Sequence, residues 1–193
     1  MKRKTLLLSA LVLVALAQLF VPWQMISKQA GFAQTGTEFN FKTDSRVRRP
    51  GASLAGKYIA LNFEQDHIRI TNKKEWEHIQ NAYVLFAKDS GGFAKIVSVT
   101  KKKPLTSSDW VRAGVWVNWK DSTSLQLNYP FRNYIIEDTN HNQVDSVIKY
   151  GLNDSLKINY LKIKIKENQF LANDLMINGV PFKEMIKAPK KNQ

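Results

Sequence analysis

The chain has 193 residues, enough for one domain with a real core and too few for two comfortable ones. It carries 29 Lys and Arg against 16 Asp and Glu, a formal charge of +13, and no cysteine. The missing cysteine excludes disulfides, thiolate zinc sites and every thiol nucleophile, cysteine-dependent envelope transpeptidases among them.

Lys2, Arg3 and Lys4 open the chain, and no charge follows from Thr5 to Ser27. Leu6 to Met25 is twenty residues, which at about 1.5 Å per residue matches a hydrocarbon core of roughly 30 Å. A cationic leader stays inside and sends the remainder across, so residues 1–27 read as a basic leader and transmembrane signal-anchor. Trp23, after Pro22, suits the far interface. A cleaved signal peptide is the rival, because Ala15-Leu16-Ala17 fits a small-residue cleavage site. Leu19, Phe20, Val21 and Trp23 continue the apolar run past that site, and this length favours the uncleaved anchor. Either reading places the remainder on the extracytoplasmic, periplasmic side of a cytoplasmic membrane. No second long apolar run follows, so the chain by itself is expected to be neither a channel nor a multi-span transporter.

Residues 28–37 are small and polar and read as a linker. Residues 38–187 are expected to form a β-rich domain, and 188–193 a basic tail. Phe39 and Phe41 alternate in "EFNF", and Pro50, Gly51 and Gly56 then interrupt. "GKYIALNF" places Tyr58, Ala60 and Asn62 on one face, with Ile59, Leu61 and Phe63 on the other. Gly56 is expected to turn the chain into that strand through a positive φ. "HIRI" is another short strand. Asn72 and Glu75 resemble a capping box, with Trp76 and Ile79 three apart, so a short helix is expected there.

"AYVLFAK" and "FAKIVSVTKKK" flank Asp89-Ser90-Gly91-Gly92, a hairpin signal. "WVRAGVWVNWK" and "SLQLNYPF" flank Asp121-Ser122-Thr123, a second one. Val144, Val147 and Ile148 return to helical spacing. Leu161, Ile163 and Ile165 then alternate with Lys162, Lys164 and Lys166, before turns at Glu167-Asn168 and Asn178-Gly179. Seven to nine strands and two short helices are expected, as an antiparallel barrel or sandwich.

This layout resembles the membrane-anchored GDYXXLXY family over nearly the whole chain. Gly56, Tyr58, Leu61 and Phe63 occupy the motif positions, with Phe in place of the final Tyr. Lys57 stands where the family has its acid, and Ala52 stands near a second acidic position. The retained residues are those a turn and a strand need, so the motif reads as structural. Tyr134 and Glu137 in "NYIIED" align with the second local signature. The resemblance implies an envelope protein of no established activity, associated with polytopic membrane proteins.

Several constellations bear on chemistry. Asp138, Asn140, Asn142 and Asp145 have calcium-loop spacing, but Gln143 replaces the turn glycine and Lys149 the bidentate Glu. The competing reading is a helix cap made by Asn142 and Asp145. Glu75 and His78 form half of a carboxylate metal site without its second half, and His67 and His141 have no ligand spacing. Glu137 as a general acid needs a second carboxylate that the sequence does not place. No metal or cofactor is therefore expected. Lys162, Lys164 and Lys166 form a basic face that either binds anionic lipid or glycan or protects an exposed sheet edge. Without the first three cations the charge is still +10, yet an exported location argues against nucleic acid. The expected role is an accessory or interaction module of the cell envelope. The alternatives are an anionic lipid- or glycan-binding module and a hydrolase-like enzyme with an unrecognised site.

Overall fold

The computed structural model describes residues 14, 18–20, 22–24, 31–32, 34–44, 51–53, 56–118, 121, 123–136, 141–152 and 157–187; at 51–53, 56–57 and 141–143 only the backbone is described. The chain divides into two units, Met1–Gly36 and Thr37–Gln193. In the first, the described residues up to Thr35 are helical, and Phe20 and Trp23 hold their ring centroids 6.1 Å apart. Within the stretch expected to be a linker, Thr35 Oγ1 donates to Gly31 O at 2.9 Å and Gly36 N to Phe32 O at 2.9 Å, a helical turn. Among the described residues no helix is long and apolar enough to cross a membrane, and most of the expected anchor lies outside them.

The second unit is mainly β, with antiparallel sheets, one of them curled like half a barrel. Its strands are β1 (Thr37–Lys42), β2 (Gly51–Ser53), β3 (Gly56–Ala60), β4 (His67–Arg69), β5 (Asn81–Lys88), β6 (Ala94–Thr100) and β7 (Trp110–Val117). After them come β8 (Ser124–Asn128), β9 (Asn133–Ile136), helix α1 (His141–Val147), β10 (Asn159–Lys166), β11 (Gln169–Ile177), β12 (Val180–Pro181) and helix α2 (Phe182–Lys187). One sheet runs β1-β10-β11-β12, a second β2-β3-β9, and a third β4-β8-β7-β5-β6. The strands outnumber the expected seven to nine because β2, β4 and β12 are only two or three residues long.

Period-two patterning produces the core. Phe39 and Phe41 of β1, Ile59 of β3 with Leu61 and Phe63 beyond it, and Leu161, Ile163 and Ile165 of β10 are all buried. Phe41 is the hub. Its ring lies 5.0 Å from Phe86 and from Phe131, 5.6 Å from Phe63 and 5.9 Å from Tyr129, each in an edge-on arrangement that suits aromatic quadrupoles.

The hairpins fall where turn chemistry places them. Asp89 Oδ1 accepts from Gly91 N at 2.8 Å and Phe93 N at 2.9 Å, and Gly92 takes φ +79°, a value only glycine adopts without strain. Asp121 Oδ1 accepts from Thr123 N at 3.0 Å and from its hydroxyl at 2.6 Å. These two bonds hold the Asp121 carboxyl below its ordinary range. Glu167 and Asn168 have φ of 47° and 69°, and Asn178 and Gly179 of 49° and 84°, the paired positive values of a tight two-residue loop.

Three local expectations need correction. Residues 73–75 make a single 3-10 turn instead of a helix, because Asn72 bonds the Glu75 carboxylate at 2.9 Å and leaves the backbone N–H groups uncapped. The second α-helix is α2, where Phe182 and Ile186, four apart, are both buried; the strand reading had run through Phe182 without a helix. Asn142 lies inside α1 and is not its cap. The helical backbone from His141 onward is also incompatible with a loop that wraps calcium. Asp138 and Asn140 lie outside the described residues. Val144 and Ile148 are buried as their spacing predicts, and the helix continues into a π turn at Ile148–Leu152.

Candidate functional site

The motif strand and β9, which carries Asn133–Ile136 of "NYIIED", are neighbours. β3 pairs antiparallel with β9, with Tyr58 opposite Ile135 and Ile59 opposite Tyr134. Gly56 sits in the ladder opposite Ser53, and residues 54–55 between them lie outside the described residues. Gly56 is the first residue of β3, at the point where the expectation has it launch the strand. Leu61 and Phe63 are core residues, whereas Tyr58 is half-buried on the opposite face. Tyr134 is buried with its ring edge-on to Phe182, the centroids 6.1 Å apart. Glu137 lies outside the described residues.

Where the motif strand ends, a polar cluster gathers that no local spacing announces. Arg132 Nε donates to Leu61 O at 3.0 Å, and Nη2 donates to Asn62 Oδ1 at 2.9 Å and lies 3.3 Å from Asp66 Oδ2. Nη1 donates to Asn128 Oδ1 at 3.4 Å. Leu61 N donates back to Arg132 O at 2.8 Å. A guanidinium has five N–H groups in a fixed fork, and four of them are engaged here. The side chains of Arg132 and Asp66 are 25% and 16% exposed, so the pair is shielded enough to matter. Beneath it, the Tyr129 hydroxyl donates to Gln65 O. Burial, and secondarily the Asp66 charge, pushes that phenol well above its ordinary value of 10.0.

Asp66 also reaches His67, with Oδ1 3.1 Å from Nδ1. A carboxylate beside an imidazole is two parts of a hydrolytic relay. Directly opposite His67 in the ladder stands Gln126, which offers no nucleophilic oxygen. Gln126 Nε2 instead donates to Asp66 O at 3.0 Å. The cluster thus acts as a clasp that ties residues 61–67 to residues 126–132. A signal existed only in composition: "NYPFRNY" sets one cation among aromatic and amide residues.

The lysines of β10 occupy a different setting. Their aliphatic neighbours are buried, and Lys162, Lys164 and Lys166 are half-buried on the other face, as the alternation predicts. β10 is flanked by β1 and β11, however, so it is an interior strand and the edge-protection reading does not hold. Lys162 lies opposite Asn40, Lys164 opposite Glu38 and Leu171, and Lys166 opposite Gln169. The face continues onto β1, where Lys42 Nζ stands 4.5 Å above the Phe93 ring, and Phe93 meets Tyr160 edge-on at 5.6 Å.

Among the described residues no group of three or more His, Asp or Glu side chains gathers as a metal site. The Glu75 carboxylate, one of the weighed ligands, is engaged by Asn72 at 2.9 Å and by Lys101 at 3.6 Å. Comparison with protein-family models, curated proteins and solved structures yields no match to this chain.

Proposed function

We propose that this chain is a membrane-tethered, extracytoplasmic β-rich module that acts as an accessory or interaction component of a cell envelope. The observation that carries the reading is the uncharged stretch Thr5 to Ser27 behind three cations, followed by a β-rich unit that starts at Thr37. The resemblance to the GDYXXLXY family belongs to the same proposal, and with it a polytopic membrane protein as partner. Consistent with a structural motif, Leu61 and Phe63 are core residues and Leu61 is bonded at both backbone atoms to Arg132. The sheets also fit a partly closed barrel. Asn40 bridges to Phe93 and Thr43 to Phe63, which joins β1 and its continuation to neighbours beyond its own sheet.

Alkaline carbonate washing of membranes tests the tether. The full-length chain is expected to stay in the membrane fraction, with external protease removing residues beyond about 28. A soluble mature chain beginning near Gln18 overturns the anchor.

A second reading, binding of anionic lipid or glycan, is favoured by the shared face of Lys42, Lys162, Lys164 and Lys166, with the Phe93 and Tyr160 rings beside it. Alternate residues of a strand stand about 6.5–7 Å apart, within a Debye length of about 8 Å, so their potentials add. Flotation with anionic vesicles at low salt should weaken in the triple Lys→Ser variant. Equal flotation of variant and wild type removes this reading.

A further inference from the structure

The connection from β6 to β7, residues 101–109, reads KKKPLTSSD. It is built as an ordered strap. At one foot the Thr100 hydroxyl donates to Lys102 O at 2.7 Å, and Lys101 Nζ lies 3.6 Å from Glu75 Oε2 and 5.2 Å from the Trp76 ring centroid. At the other foot Phe86 N donates to Asp109 O at 2.9 Å, Asp109 N to Ser107 Oγ at 3.1 Å, and Glu167 N to Ser108 O at 2.6 Å. Lys103 Nζ stands 5.4 Å over the Trp110 ring. Between the feet, Leu105 is 93% exposed, more than any other large apolar side chain among the described residues.

A lone exposed leucine is ordinary on a protein surface. This one crowns a loop whose backbone is bonded at both ends, and three consecutive lysines precede it. Glu75 meets the strap at its first foot through its carboxylate, and Glu167 at its second through its backbone N–H. The strap's location supplies the second argument. Thr37, the first residue of the β-rich unit, lies opposite Ile165 in β10, and the hairpin tip just beyond Ile165 bonds Ser108. Two strand spacings and two residues of rise put Thr37 and Ser108 on the order of 15 Å apart along that path. The chain thus enters the β-rich unit on the side to which the strap is pinned.

We propose that residues 101–109 form a docking loop for an anionic bilayer surface. Leu105 enters the boundary between headgroups and acyl chains, and Lys102 and Lys103 meet lipid phosphates. This rests on the tethered reading above, because a tether keeps the strap near the bilayer. No bond is made or broken; the contact is apolar burial plus charge.

The chain has no cysteine, so a single Leu105→Cys substitution in the full-length protein carries an environment-sensitive fluorophore cleanly. At 93% exposure the substitution leaves the core untouched. The protein is placed in nanodiscs of phosphatidylcholine with phosphatidylglycerol, and in discs of phosphatidylcholine alone. The same label at Ile158→Cys, exposed and beyond the other end of β10, is the reference. The expected result is a blue shift and a severalfold drop in quenching by aqueous iodide at position 105, in the anionic discs only. That protection should be lost in the Lys102→Ser, Lys103→Ser background. Equal quenching at 105 and 158 overturns the docking loop while leaving the tether intact. So does protection that ignores lipid charge and the lysines, the result expected for a protein partner. If the chain does not co-elute with discs, the tether falls, and flotation of the labelled chain with phosphatidylglycerol vesicles decides the loop alone. A shift at 105 then retains it as a peripheral contact, and no shift overturns it.

Discussion

Arg132 and Lys162 are both half-sheltered cations on a β framework, and they are used in opposite ways. Arg132 spends its fork on a backbone carbonyl, two amide side chains and a carboxylate, all within 3.4 Å. Lys162 stands on an interior strand opposite the Asn40 position, with lysines two residues on and four residues on along the same face. The planar guanidinium can satisfy several fixed acceptors at once, whereas an ammonium on a flexible stem is a point charge. Placement follows chemistry: the arginine closes a clasp over the aromatic core, and the lysines build a field outside it.

The sharpest way to break this comparison is to remove each cation in turn. Arg132→Ala strips four hydrogen bonds and leaves the partly buried Asp66 carboxylate with His67 alone, a loss of about 3 kcal/mol in urea-induced unfolding. A loss below about 1 kcal/mol makes the clasp decorative.

Tyr129→Phe sharpens the same half of the comparison. The lost donation to Gln65 O costs about 1 kcal/mol at neutral pH. The phenol's pKa is raised in the folded state, so its contribution is whole below the ordinary value of 10.0. Above that pH the unfolded chain sheds the proton while the folded chain keeps it, and stability falls by up to about 1.4 kcal/mol per pH unit. The wild type should therefore lose stability faster than Tyr129→Phe between about pH 10 and 11, as measured by urea titration at each pH. Parallel curves overturn the assignment.

The hairpin that ends the lysine-bearing strand offers a gain instead of a loss. Glu167 holds φ at 47°, a region that Asn tolerates better than Glu. Glu167→Asn should raise stability by about 0.5 kcal/mol, visible as a higher denaturation midpoint with unchanged slope.

The smallest effect belongs to the other cation. Lys162→Ser should change folding stability by no more than about 0.5 kcal/mol, because a half-buried lysine on the face away from the core can be shortened without opening a cavity. A loss comparable to that of Arg132→Ala would erase the distinction between the two regions.

Much of the local plan was legible beforehand. The alternation in "LKIKIK" assigns Leu161, Ile163 and Ile165 inward, and Asp89 and Asp121 mark the two long hairpins through their own turn bonds. Asn178-Gly179 does the same for the last turn. Two helix expectations fared unequally. Val144 and Ile148 formed a buried stripe, whereas Asn72 and Glu75 satisfied each other and closed only a 3-10 turn. The candidate site was legible in pieces: the motif was recognisable as a strand and "NYIIED" as a second signature, but not as its partner strand.

The sequence by itself determined which side chains face inward, where the chain turns and where its charge lies, because period, φ preference and turn bonding act over a few residues. Tertiary structure alone decided that β10 is interior, since β1 reaches it from more than a hundred residues away. It also decided that Arg132 meets Leu61, Asn62 and Asp66 across some seventy residues of chain. Pairing between distant strands depends on the whole core closing at once, and no window of sequence contains that condition.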